Sequence, residues 1–249
     1  MVFEMQIDIL GYYGGYPANG VGTSAYLVRS GDYALLMDAG SQALLALEKL
    51  MSPADLDAVL LTHYHHDHTA DVGVLQYNRQ LSPDKSKVSP LPIYGHTMDP
   101  LNFASLTFGP FTKAMGYTAD SRLTLGPFDL SFLATEHPVP AFAVRITERS
   151  SGKTLVNTSD TRMFAGLRPF ATGADLLLAD ANFLADKPEP KWHLTAPEAG
   201  QLAAAANVKQ LVLTHLPQTV DLQLMKTQAQ VAAGEVPVTL ASEKQHFEL

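Results

Sequence analysis

Short apolar runs broken by glycine, proline and polar residues dominate the chain, and their period shifts between two and about 3.6. Met5 to Leu10 alternates before the glycine-rich Gly11-Tyr12-Tyr13-Gly14-Gly15, and strands are predicted at Ser24 to Arg29 and Tyr33 to Met37. A strand rather than a helix follows those glycines, which argues for a tight turn and against a dinucleotide-binding loop. Ser41 is placed to cap a helix reaching Leu50. Leu56 to Leu61 reads as a short buried strand, Asp71 to Leu81 as a helix and Leu91 to Tyr94 as a strand. Leu101 to Met115 mixes Phe, Thr, Gly and Pro and predicts no one element. Strands follow at Leu130 to Ala134, Ala141 to Thr147 and Thr154 to Asn157. A β-then-α rhythm closes the chain: Leu176 to Ala179, a helix Ala196 to Ala206, a strand Gln210 to Leu213 and a helix Leu222 to Ala233. Pro188 and Pro190 mark a loop, because the apolar rhythm resumes at once, so residues 1–249 are expected to form one domain. Meandering strands with helices outside suit a two-layer β core flanked by helices.

Composition narrows the function classes. The 249 residues contain no cysteine, which removes disulfides, thiolate metal sites and a cysteine nucleophile together. No apolar run is long enough for a membrane span, and no basic-then-apolar export signal can be drawn at the N-terminus, so the cytoplasm is the expected compartment. Acidic residues outnumber basic ones, giving a net charge of −8, and Lys and Arg form no cluster. Tight binding to a long polyanion needs such clusters. A stable nucleic-acid partner is therefore not expected, while a homodimer is left open.

The chemistry concentrates in Thr62-His63-Tyr64-His65-His66-Asp67-His68, directly after the buried-strand pattern. Imidazole and carboxylate are the natural ligands of zinc and its first-row neighbours when no thiolate is available. On extended backbone His63 and His65 point to the same side, and a turn brings Asp67 and His68 back. A processing tag would sit at a terminus, not after a core strand.

His63-x-His65-x-Asp67-His68 resembles the signature of the metallo-β-lactamase-fold hydrolases, and the rest of the chain supplies that family's other ligand positions in order. His137, Asp160 and His215 each follow a predicted strand, and Asp38 matches the supporting aspartate after an early strand. The resemblance implies an α+β fold, a four-layer αββα sandwich. It implies that His63, His65 and His137 hold one divalent metal, that Asp67, His68 and His215 hold a second, and that Asp160 bridges them. Zinc is the expected metal, with manganese or iron as alternatives. Two cations ~3.5–4 Å apart need an anionic bridge, and together they make a bridging hydroxide available at neutral pH, with Asp67 orienting the water. His65 stands where oxygen-reducing di-iron relatives carry Glu, which favours hydrolysis.

Within the family, His193-Leu194-Thr195 and the segment Val208 to His215 resemble the phosphodiesterase branch that includes ribonuclease Z. By that likeness His193 is a non-ligand histidine that protonates the leaving oxygen. Only 22 residues separate His137 from Asp160, too few for the long arm with which ribonuclease Z relatives grip transfer RNA. The expectation is a di-metal phosphodiesterase for small or exposed phosphodiesters. The alternatives are a thioester or lactone hydrolase of the same fold, a transfer-RNA 3′-processing endonuclease and, last, a non-catalytic metal-binding scaffold. His66 is expected to face outward, His96 to be structural and Trp192 to cover the core.

Overall fold

The computed structural model describes residues 4–82 and 89–249. The first half of the chain contains β1 (Gln6–Tyr13), β2 (Gly22–Thr23), β3 (Ala25–Ser30), β4 (Tyr33–Met37), α1 (Ala43–Leu47), β5 (Ala58–Leu60), α2 (His66–Thr69), α3 (Val72–Leu81), β6 (Leu91–His96), α4 (Pro100–Ser105) and β7 (Thr112–Tyr117). The second half contains β8 (Arg122–Leu125), β9 (Phe128–Ala134), β10 (Phe142–Glu148), β11 (Thr154–Asn157), α5 (Leu167–Ala171), β12 (Leu176–Asp180), α6 (Ala196–Ala205), β13 (Leu211–Thr214), α7 (Leu222–Ala233), β14 (Val238–Leu240) and β15 (His246–Glu248). One sheet runs β15-β1-β3-β4-β5-β6-β7, with β2 paired to β1, and the other runs β14-β13-β12-β11-β10-β9-β8.

Period-two alternation explains why these strands must be covered on both faces. In β12, Leu176 and Leu178 join the apolar cluster between the sheets, while Leu177 and Ala179 face the cluster under the helices of the second half. In β4, Leu35 and Met37 point between the sheets, and Ala34 and Leu36 point toward α1 and α3. Strands buried on both sides read as continuous hydrophobic runs. Three apolar clusters separate four layers, and the fold is the αββα sandwich.

Several elements depart from the sequence expectation. The first strand does not end at the glycines: β1 continues through Gly11 with an irregularity in register and pairs with β2. Thr23 O would lie 2.0 Å from any Cβ at Gly11, so only glycine allows that approach. The helix after Ser41 is short, covering Ala43–Leu47, and its cap position is Gln42 at φ 68° with no side-chain capping bond. The indeterminate stretch Leu101 to Met115 resolves into α4 and the start of β7. At the other edge of that sheet β15 pairs with β1, and the His246 Nδ1 lies 2.7 Å from Asp8 Oδ1. By contrast α6 starts with the full reciprocal cap expected of Thr-x-x-Glu, between Thr195 and Glu198.

If the chain is one folding unit, proteolysis near Pro188 should release no independently folded half, because β12 and β13 flank that loop and pair with each other. Recovery of two folded fragments by size exclusion would contradict it.

Candidate metal centre

β4 and β5 are parallel, as are β11, β12 and β13, and β9 runs in the same sense as β11 because β10 is antiparallel to both. A parallel bridge between Tyr13 and Leu216 brings the end of β1 to the same edge. Chain segments leaving these strand ends therefore converge. Asp38 follows β4; His63, His137 and Asp160 each lie three residues past β5, β9 and β11; Asp180 ends β12; and His215 follows β13. Asp38 and His215, each directly after its strand, and Ser159, two residues past β11, have left-handed φ of 56°, 53° and 52°. Each such residue costs roughly 1–2 kcal/mol, which the surrounding packing must offset.

Among the described residues three overlapping groups could hold a metal ion: two consist of the expected ligands, and the third joins Asp180 and His193 to Asp160 and His215. In the first, His63, His65, His137 and Asp160 offer ligand atoms all within 4.8 Å of one another. His65 Nδ1 lies 3.1 Å from His63 Nε2 and 3.2 Å from His137 Nε2. The second gathers Asp67, His68, Asp160 and His215. There His215 Nε2 is 3.1 Å from Asp67 Oδ2 and 3.4 Å from Asp160 Oδ2, and His68 Nε2 is 3.3 Å from Asp160 Oδ1. Asp160 belongs to both, buried to 2% exposure.

Bonds behind the clusters fix the side chains. Asp38 Oδ2 accepts from His68 Nδ1–H at 2.8 Å and from the Thr62 hydroxyl at 2.9 Å, while Oδ1 accepts from the Thr62 backbone N–H at 2.8 Å. With Nδ1–H directed at Asp38, the lone pair of His68 falls on Nε2, which is buried without a hydrogen-bond partner. Such an atom is expensive to leave bare and suits a cation. Asp180, which sequence reasoning did not single out, lies 2.8 Å from His193 Nδ1 and 3.4 Å from His215 Nδ1. Its signal was present: Leu176 to Ala179 is another buried strand ending in a carboxylate. The Gly14-Gly15 turn also belongs to the site. Gly15 N–H donates to Asp67 Oδ2 at 2.6 Å, and a Cβ on Gly14 would come within 2.6 Å of the His215 ring.

Charge makes the same case. Asp38, Asp67, Asp160 and Asp180 are all buried here, and buried charges must be paired or bind metal. Two divalent cations would balance four carboxylates. Without them the compensation falls to protons. Burial disfavours the His68 imidazolium, but Asp160 and Asp38 outweigh it and push its pKa up to about 10. His215 goes well above its usual value against burial, drawn by Asp160, Asp180 and Asp67. His63 moves the other way, through burial and the neighbouring His68 charge. Burial alone would raise the Asp67 carboxyl; the His215 hydrogen bond and the charges of His68 and His215 together hold it below the ordinary range. Ligand nitrogens must shed their protons to bind metal, so cations would replace these protons. The residues present fit a pair of divalent ions.

His193 stands beside both clusters, its ring 4.9 Å from that of His215 and 5.2 Å from that of His137. Burial opposes its charged form, yet Asp180 prevails and raises its pKa. His66 is exposed, as expected, and His96 is buried. Trp192 corrects the expectation of core packing: it is 44% exposed, its ring lies under the Arg162 guanidinium, and its carbonyl oxygen lies 3.3 Å from His137 Nδ1.

An αββα sandwich carrying two His/Asp clusters on one strand edge defines a metal-dependent hydrolase. The chain belongs to the metallo-β-lactamase-fold family: the model of the Beta-lactamase superfamily domain matches residues 33–216. It is 44% identical over 237 residues to the probable metallo-hydrolase YhfI of Bacillus subtilis (strain 168), covering 94% of this chain and 96% of that one. The crystal structure of the metallo-beta-lactamase fold protein YhfI from Bacillus subtilis superposes with a TM-score of 0.93 at 39% identity, covering 99% of both chains. Ribonuclease Z of Nocardia farcinica (strain IFM 10152) is 26% identical over 273 residues, 86% of this chain and 88% of that protein. Between His137 and Asp160 this chain carries only β10, β11 and their connections, with no arm.

Chelation of the purified protein should lower its thermal midpoint, and zinc at about 100 times its Kd should restore about 2.7 kcal/mol, or roughly 5–10 °C. Since the ligand histidines must be neutral and the metal-free site holds the His68 proton up to about pH 10, the rescue at a fixed zinc concentration should weaken progressively as pH falls below that value. Equal rescue at about pH 5 and pH 7.5 would contradict histidine ligation.

Proposed function

We propose that this chain is a di-metal phosphodiesterase, with zinc at both positions, acting on small or exposed phosphodiesters. His63, His65 and His137 would hold one ion, Asp67, His68 and His215 the other, and Asp160 both. Zinc fits a set of nitrogen and oxygen donors, a set that manganese and iron(II) also accept. When bound, the metal pair supplies a nucleophile at neutral pH and neutralises charge on the phosphoryl oxygens.

The observation that carries the reading is His193. It lies against the rings of both clusters, its Nδ1 is fixed by Asp180 at 2.8 Å, and its side chain keeps 19% exposure. Fixing Nδ1 leaves Nε2 as the proton-bearing atom available to a substrate, and the raised pKa keeps the imidazolium populated. A phosphodiester has a poor alkoxide leaving group that needs a proton, whereas a thioester expels a thiolate that has less use for one. Asp67, ionised and held by Gly15 N–H, is placed to orient an attacking water as an acceptor. The likeness to ribonuclease Z favours the same bond type, while the short His137–Asp160 connection and the net charge of −8 favour small substrates over long RNA.

On a diester with a poor leaving group, His193→Ala should cut turnover by about 10²–10⁴-fold with metal content unchanged, and by much less on a nitrophenyl ester. The wild-type rate on the poor leaving group should also fall as pH rises through the raised His193 pKa, a limb missing in the variant. Equal losses on both esters, loss of metal, or preference for thioesters and lactones in the wild type would overturn the assignment.

A further inference from the structure

A cavity of about 150 Å³ opens beside the metal centre, and His65 is its shared wall. Tyr64 adjoins His65, and His96, Asp99 and Asn102 come from the end of β6 and the start of α4, with the Pro140 loop opposite. The walls are set by packing rather than by loop chance. Tyr64 Oη donates to the His96 carbonyl at 2.7 Å, and the two rings lie 4.3 Å apart. Gly95 permits that approach, since a Cβ there would meet Tyr64 Oη at 2.3 Å. His96 Nδ1 accepts from Met98 N–H, and its remaining donor, Nε2–H, lies buried near the Pro140 carbonyl without completing a hydrogen bond.

The polar character of the cavity is that of an acceptor. Asp99 Oδ1 takes the Asn102 backbone N–H at 3.1 Å and Oδ2 takes the Asn102 side-chain N–H at 2.7 Å. Each carboxylate oxygen keeps a further acceptor position, and the Asn102 amide oxygen adds another. No lining residue is Lys or Arg. A donor-bearing neutral group is therefore favoured there, and a second anion would face Asp99 with no cation to offset it. The volume is enough for a polyol or a sugar ring.

We propose that this cavity is the subsite for one ester substituent of the substrate and selects a neutral, hydroxyl-bearing group over an anionic one. The proposal rests on the phosphodiesterase reading above, since it assumes a phosphoryl group held at the adjoining clusters. Asp99 is the residue that sets the selection, and His96 and Tyr64 are the wall that holds the substituent in place.

The test uses the zinc-loaded protein, titrated calorimetrically with inorganic phosphate, glycerol 3-phosphate and 3-phosphoglycerate. The last two match in length and differ in a hydroxymethyl against a carboxylate. The wild type should prefer glycerol 3-phosphate by about tenfold. Asp99→Asn keeps a good helix cap, and should narrow that preference to about twofold while leaving phosphate affinity unchanged. The same ratio in both proteins, a wild-type preference for 3-phosphoglycerate, or no gain of either ester over inorganic phosphate would overturn the subsite. Loss of phosphate binding in Asp99→Asn would overturn it too, by placing Asp99 in the metal centre. If the predicted ratios hold but no diester is turned over, the failure lies with the phosphodiesterase reading and not with the cavity's selectivity.

Discussion

One buried carboxylate, that of Asp160, sits between two groups of imidazoles and belongs to both. Its neighbours His63, His68 and His215 are themselves buried, so water cannot screen it. A bare ion pair in such a place gains little over apolar packing, and removing one partner costs several kcal/mol. The chain surrounds this charge with three further buried carboxylates rather than with arginine or lysine. That choice makes little sense for stability alone and becomes coherent once divalent cations share the space.

The sandwich is what makes the arrangement possible. Strands from both sheets point their C-terminal ends at one edge, so residues distant in sequence arrive together without long loops. The supporting bonds then fix orientation at low freedom: Thr62 holds Asp38, which holds His68, and Asp180 lies between His193 and His215. Through Asp180 the position of a candidate proton donor is tied to that of a candidate metal ligand.

Much of this was legible in the amino-acid order because the signals are local. Buried strands such as Leu176–Asp180 read as continuous apolar runs, and the Thr195 cap is written in four residues. The His63 to His68 window carries its chemistry in its own spacing. What escaped depends on contacts across the fold. The helix after Ser41 starts only past the left-handed Gln42 and ends at Leu47, and the glycine turn is shaped by close approach to His215 and Asp67. Trp192 looked like core material because it is large and apolar, but its position at the rim follows from the loop that presents His193. Asp180 was hidden because a lone aspartate after a strand is ordinarily a cap or a surface group.

The central claim is that two cations flank the Asp160 carboxylate. Anomalous diffraction at the zinc edge, from crystals of the zinc-loaded protein, tests it most directly. The account predicts two peaks ~3.5–4 Å apart, one within bonding distance of His63, His65 and His137 and the other of Asp67, His68 and His215, with Asp160 touching both. A single peak, or two peaks that do not share Asp160, would contradict it.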